Sequence, residues 1–233
     1  MMFDPMLMLI TLIFMVAGLV VSGKLKSVFS TYNSIPIDSG LSGKEVAERM
    51  LRDHDINDVR VTAVEGSLTD HYDPSKKTIN LSREIYDGRS VASTAVAAHE
   101  CGHAVQHATA YAWLQMRSKL VPMVNFSSRM MNFVFIASLI LAFSAQLMNQ
   151  MLLLIIILQG AITLFSLITL PVEFDASNRA LAWIDSRRIS SGKQHAMAAN
   201  ALKWAASTYV VAALASMATF FYYLMRYLGR RDN

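Results

Sequence analysis

Charge is scarce in this chain. Asp, Glu, Lys and Arg make up 16% of its 233 residues, against about 25% in a soluble domain. The deficit is also uneven: Pro5 to Gly23, Met130 to Val172 and Trp204 to Met225 contain none of the four. An apolar run of about 20 residues can cross a bilayer, so the pattern excludes an ordinary soluble globule. The middle run is too long for one crossing at ~1.5 Å per residue. Its polar centre, SAQLMNQ with Gln146, Asn149 and Gln150, predicts a helical hairpin turning at 146–150. Four transmembrane helices are expected, at 5–23, 130–148, 151–171 and 205–225.

Other absences narrow the reading further. A single cysteine, Cys101, excludes an intrachain disulfide and suits a reducing compartment. The opening MMFDP carries an acid and no base. A cleavable signal peptide opens with a basic region, so the first run reads as an uncleaved anchor. The three later spans contain no His, Asp or Glu. The net charge of +4 is small and comes from basic residues flanking the spans, so no nucleic-acid partner is expected.

Those flanking bases give an orientation. Lys24, Lys26, Arg117, Lys119 and Arg129 lie between the first two spans, and Arg179, Arg187, Arg188, Lys193 and Lys203 between the last two. By the positive-inside bias both regions face the cytoplasm. Arg226, Arg230 and Arg231 run against that assignment.

The polar region has its own local signals. Residues 43–54 show a helical period with Ala47, Met50 and Leu51 on one face, and Ser42 with Glu45 forms a capping box. VRVTAV (59–64) alternates like a strand. LTDHYDPSKKTINLS (68–82) predicts a hairpin turning at the Asp-Pro. A short helix stopped by Gly88 follows, then a helix over 91–115.

That last helix holds AVAAHECGHAVQHA (95–108). His99 and His103 are four apart, so they share a helix face one turn apart, and two neutral imidazoles so placed can reach one zinc ion. With Glu100 between them they form an HExxH pattern. In that chemistry zinc lowers the pKa of a water, and the glutamate takes the proton and passes it to the leaving amine. Glu100 is the only Asp, Glu, Lys or Arg between Val91 and Met116, and an unpaired carboxylate in so apolar a helix is costly; a cation resolves the cost. His107 lies another turn along, too far to join a single tetrahedral ion, and reads as a packing or supporting residue. The pattern HExxHxxGxxH fails, because its positions are Gln106 and Thr109. A third ligand must come from elsewhere: Glu173, which directly follows the long uncharged run, or Asp175. For the oxyanion, His71, Tyr72 and His195 are candidates. Cys101 points off the histidine face and reads as core.

HECGH, with LTDHYDP and LSREIYDGRS upstream and LPVEFDASNRA downstream, resembles the bacterial membrane-bound neutral zinc metallopeptidases. More distantly it is similar to the HtpX-type heat-shock membrane proteases and the CaaX prenyl proteases. The resemblance covers most of the chain. It implies a gluzincin site: one Zn2+ ion held by His99, His103 and Glu173, with Glu100 as base. It also implies a polypeptide substrate bound along an edge strand and a role in membrane-protein quality control. One position departs. The HtpX-type pattern has an aspartate four residues after the glutamate ligand, where this chain has Ser177. Ser177, Asn178 and Asp175 are the substitutes that could orient a ligand histidine.

The expected fold is therefore mainly α: four transmembrane helices plus a small α+β zincin-like catalytic domain, with a β-hairpin beside the HExxH helix. Its parts are an anchor (1–24), a catalytic region (25–129), a transmembrane hairpin (130–172), a helical segment supplying the third ligand (173–203), and a last span with a basic tail (204–233). The protein is expected to be a multi-pass protein of the plasma (inner) membrane, in contact with the lipid bilayer, with its site facing the cytoplasm. The sequence leaves open a homo-oligomer or an accessory membrane protein. Two other readings compete. An intramembrane metalloprotease would use 91–116 as a span but would need an aspartate from a later one. A zinc transporter would need polar ligands recurring along the spans.

Overall fold

The structure, a computed structural model, describes residues 4–140, 145–190 and 192–231. Its helices are α1 (Pro5–Asn33), α2 (Gly43–Asp53), α3 (Arg83–Tyr86), α4 (Val91–Ala108), α5 (Ala112–Ile140), α6 (Ala145–Ser186) and α7 (Gly192–Arg231). The strands are β1 (Arg60–Val64), β2 (His71–Asp73) and β3 (Thr78–Ser82). The chain divides into two compact units: one of Met1–Val20, Met116–Leu170 and Thr208–Asn233, the other of Val21–Gln115 and Pro171–Ser207.

The second unit holds the sheet, in the order β1-β3-β2. The hairpin is as expected: β2 runs antiparallel to β3, with Tyr72 opposite Ile79. Its turn is fixed by Asp73 Oδ1, which accepts from the Ser75 and Lys76 backbone N–H groups at 2.9 and 3.1 Å. β1 pairs parallel to β3 from Arg60↔Thr78 to Val64↔Ser82, which leaves β2 as an edge. The α2 capping box forms, with Ser42 N–H donating to Glu45 Oε2 at 2.7 Å. Val46, Ala47, Met50 and Leu51 of α2 pack with Ile79, Leu81, Ile85 and the small residues of α4. The alanine-rich sequence of α4 thus serves close packing against its neighbours.

The α4 helix stops at Ala108 instead of running to 115. Ala110 adopts φ +52°; its N–H donates to His107 O, and the Tyr111 N–H donates to Gln106 O at 2.9 Å. This is a Schellman ending with alanine where glycine is usual, so no residue type marked the stop.

Among the described residues, three helices are long and apolar enough to cross a membrane: Pro5–Asn33, Asn149–Ser186 and Gly192–Gly229. Three candidates replace the four expected. The missing one, 130–148, is not among the candidates: its described part is the end of α5, which carries Arg117, Lys119 and Arg129 in its earlier turns. Residues 141–144 lie outside the described ones. The expected turn at 146–150 is also corrected, since α6 begins at Ala145 and takes these residues into its first turns. The first unit is apolar on its outside: Leu19 is 67% exposed and Val20 63%.

Candidate metal centre

Two helices make the site. Ser90 caps the start of α4 by accepting from the Ser93 N–H at 3.0 Å, and α4 then carries His99, Glu100 and His103 past α6. The crossing is close because of Gly102, inside the HExxH pattern. A Cβ added there would lie 2.4 Å from the Ala176 carbonyl oxygen. That approach brings Glu173 of α6 to the histidines: its Oε2 stands 3.4 Å from His99 Nε2 and 3.6 Å from His103 Nε2. One ligand atom from each of the three residues lies within 4.8 Å of the others.

This arrangement fits zinc. Ligands ~2.0–2.2 Å from a tetrahedral ion stand roughly 3.3–3.6 Å apart, and the two carboxylate–imidazole separations fall in that range. The donor set of two imidazoles and a carboxylate suits the metal. His103 and Glu173 are buried and His99 is partly exposed, so access is from the His99 side.

Each histidine is held from behind. Ser177 Oγ lies 3.1 Å from His99 Nδ1, so the serine occupies the role the resemblance gives to an aspartate. Gln106 Oε1 lies 3.0 Å from His103 Nδ1. Gln106 and Arg179 were missed at the sequence level. The available signal was a lone amide three residues after His103, on the same face of an apolar helix. Burial disfavours a charged His103, but the Glu173 carboxylate beside it, with Glu100 and Gln106, more than offsets this and raises its pKa. Glu100 is 7% exposed and is outside the three-residue cluster.

The remaining candidates lie elsewhere. Asp175 is not a ligand: its Oδ2 accepts from Gln106 Nε2 at 2.8 Å and from Arg179 Nε at 2.6 Å. Two residues on from Glu173, it faces another side of α6. Tyr72 pairs its hydroxyl with His107 Nδ1 at 2.7 Å. Burial, with Asp58 and Asp73 nearby, pushes the phenol up to about 12. His71 is exposed, with Nδ1 2.8 Å from the Thr69 carbonyl and Nε2 3.2 Å from Asn80 Nδ2. His195 is outside the cluster, and its Nδ1 is buried without a hydrogen-bond partner. Cys101 is core, its thiol donating to Ala47 O at 3.4 Å, and burial pushes its pKa well up.

A paired-histidine helix crossed by a glutamate-bearing helix, in a chain with membrane-length apolar helices, defines a class of membrane metallopeptidase-like proteins. Residues 7–228 match the family described as "Putative neutral zinc metallopeptidase", and the chain belongs to that family. It is also 41% identical, over 90% of its length and 91% of the relative's, to "Putative membrane protease YugP" of Bacillus subtilis (strain 168). No solved structure matches.

Proposed function

We propose that this protein is a membrane-anchored, zinc-dependent endopeptidase in which His99, His103 and Glu173 hold one zinc ion and Glu100 is the general base. The observation that carries the reading is the convergence of those three ligand atoms within 4.8 Å at a helix that also buries Glu100. Zinc, when bound, supplies Lewis acidity that makes water a nucleophile at neutral pH. Glu100 accepts the proton from that water and delivers it to the departing amine. Ser177 and Gln106 hold the imidazoles in place. β2 offers unpaired backbone N–H and C=O groups on its outer edge, and an extended polypeptide can add there without a demand on its sequence. Unfolded stretches of membrane proteins fit that mode, which supports a quality-control role.

The site faces the cytoplasm from the plasma membrane in this reading. Lys24, Lys26, Arg179, Arg187, Arg188, Lys193 and Lys203 all belong to the unit of residues 21–115 and 171–207, and that basic excess supports a cytoplasmic side. The discordant Arg226 is partly neutralised: it pairs with Asp4 and its guanidinium donates to the Tyr222 hydroxyl at 2.6 Å.

The test is reconstitution of the full chain with zinc and an unfolded membrane protein, comparing wild type with Glu100→Gln. The variant should keep its zinc and lose cleavage by about 10²–10⁴-fold. Equal cleavage by both proteins removes the mechanism, and zinc flux into vesicles without cleavage supports the transporter instead.

A further inference from the structure

We propose that Gln106, held by Asp175 and Arg179, locks the His103 imidazole into the one tautomer that leaves Nε2 free for a metal. This deepens the zinc reading and rests on it.

The argument is a count of donors and acceptors. Gln106 is fully buried. Its Nε2 lies 2.8 Å from the Val172 carbonyl oxygen and 2.8 Å from Asp175 Oδ2. A carbonyl and a carboxylate only accept, so the amide's two N–H bonds must point there. Turning the amide over would set its oxygen against both acceptors in a dry site and leave them without a donor. The oxygen is therefore committed to His103 Nδ1, 3.0 Å away. An oxygen that only accepts requires a hydrogen on that nitrogen. A neutral imidazole carries one N–H; the Glu173 carboxylate competes for it at Nε2, but the shorter contact to Gln106 holds it at Nδ1, so Nε2 keeps its lone pair. That is the nitrogen 3.6 Å from Glu173 Oε2.

The lock is itself anchored. Arg179, one turn along α6, donates from Nε to the same Asp175 Oδ2 at 2.6 Å. Its guanidinium lies 5.6 Å from the centroid of the Tyr111 ring. The Tyr111 backbone N–H in turn donates to Gln106 O. The contacts thus close a ring through the end of α4 and the face of α6, starting and ending at Gln106. His99 is set differently. Its Nδ1 partner is the Ser177 hydroxyl, which can donate or accept and fixes no tautomer. One ligand histidine is preset and the other adapts.

Asp175 and Arg179 touch neither histidine, so they are positioning residues acting through Gln106. The experiment uses the full chain in detergent micelles. The first readout needs no metal: long-range 1H–15N imidazole correlations, followed with rising pH until the His103 signals stop changing. Wild type should show His103 as the Nδ1–H tautomer, and Gln106→Met, which keeps the length and loses the bonds, should show a mixture. The second readout is zinc affinity by chelator competition, which should weaken about 10–100-fold in Gln106→Met. Asp175→Ala, at a partly exposed position, should shift both readouts in the same direction but less. Asp175→Asn, which retains an acceptor oxygen, should restore most of the loss. A folded Gln106→Met or Asp175→Ala protein with an unchanged tautomer and a zinc affinity within about two-fold of wild type overturns the lock. Failure of wild type to bind zinc at all sinks the enzyme reading instead, while the metal-free spectra still decide the tautomer.

Discussion

Among the described residues, each of the two units buries a glutamine whose amide reaches another helix, Gln159 in the first and Gln106 in the second, and the two amides end on different things. In the first unit Gln159 Nε2 lies 3.2 Å from both the carbonyl and the hydroxyl of Ser216, and Thr163 adds a bond to the same hydroxyl at 2.8 Å. Each of these partners is neutral, and the cluster joins α6 to α7. In the second unit Gln106 spans α4 and α6, but its last bond falls on an imidazole whose other nitrogen faces a carboxylate. Both clusters obey the rule that buried polar groups must be paired. The first uses the pairing for adhesion between apolar helices; the second uses it to aim a lone pair.

Substitutions should separate the two uses. The largest effect belongs to Glu173→Ala. It removes a ligand, so zinc affinity should fall by more than the ~100-fold expected for loss of a supporting partner, and cleavage should vanish; equilibrium dialysis and a peptide assay measure both. Next is the glycine pair. Gly102→Ala puts a Cβ 2.4 Å from backbone, whereas Gly160→Ala in the first unit meets only the Phe220 ring edge at 3.3 Å, which can give way. Gly102→Ala should cost about 1–3 kcal/mol and weaken zinc binding by parting α4 from α6. Gly160→Ala should leave zinc binding unchanged. Thermal melts with and without zinc distinguish them.

Acidity gives a third, smaller contrast. The His103 pKa is raised in the folded, metal-free chain. Its protonated form therefore stabilises that fold below the unfolded value of about 6.5, and the contribution is lost as pH rises through the higher folded value. Zinc needs the neutral ring. The rise in Tm added by zinc should thus be small at about pH 6 and grow towards about pH 9; a flat profile contradicts the placement of Glu173 beside His103. The smallest effect is expected for Ser216→Ala. It should lower stability by about 0.6 kcal/mol and leave zinc affinity and its pH profile untouched.

Much of this was legible beforehand because it is local. The Ser42–Glu45 box, the Asp73 turn and the i, i+4 histidines depend on neighbours within a few residues, and each formed as its spacing required. The errors came where local signals were silent or shared. Ala110 ends α4 in a conformation that glycine normally marks, so the helix was read through to 115. Gln146, Asn149 and Gln150 suit a turn and a helix start equally. The expected span at 130–148 runs through residues outside the described ones and is not among the candidates. Glu173 and Asp175 are both acids after an apolar run, and only rotation about α6 separates the one that meets the histidines from the one that meets Gln106 and Arg179.

The amino-acid order alone determined that this chain carries membrane-length apolar helices, that one helix presents two imidazoles on a single face, and that a glutamate stands between them. These follow from helix periodicity and hydrophobic length, which act within a segment. Only the tertiary structure decided which carboxylate completes the group, that Ser177 and Gln106 back the two rings, and that Tyr72 turns to His107. Those outcomes depend on how close α4 comes to α6 and to the hairpin, a distance set by Gly102 and the small residues packed between segments far apart in the chain.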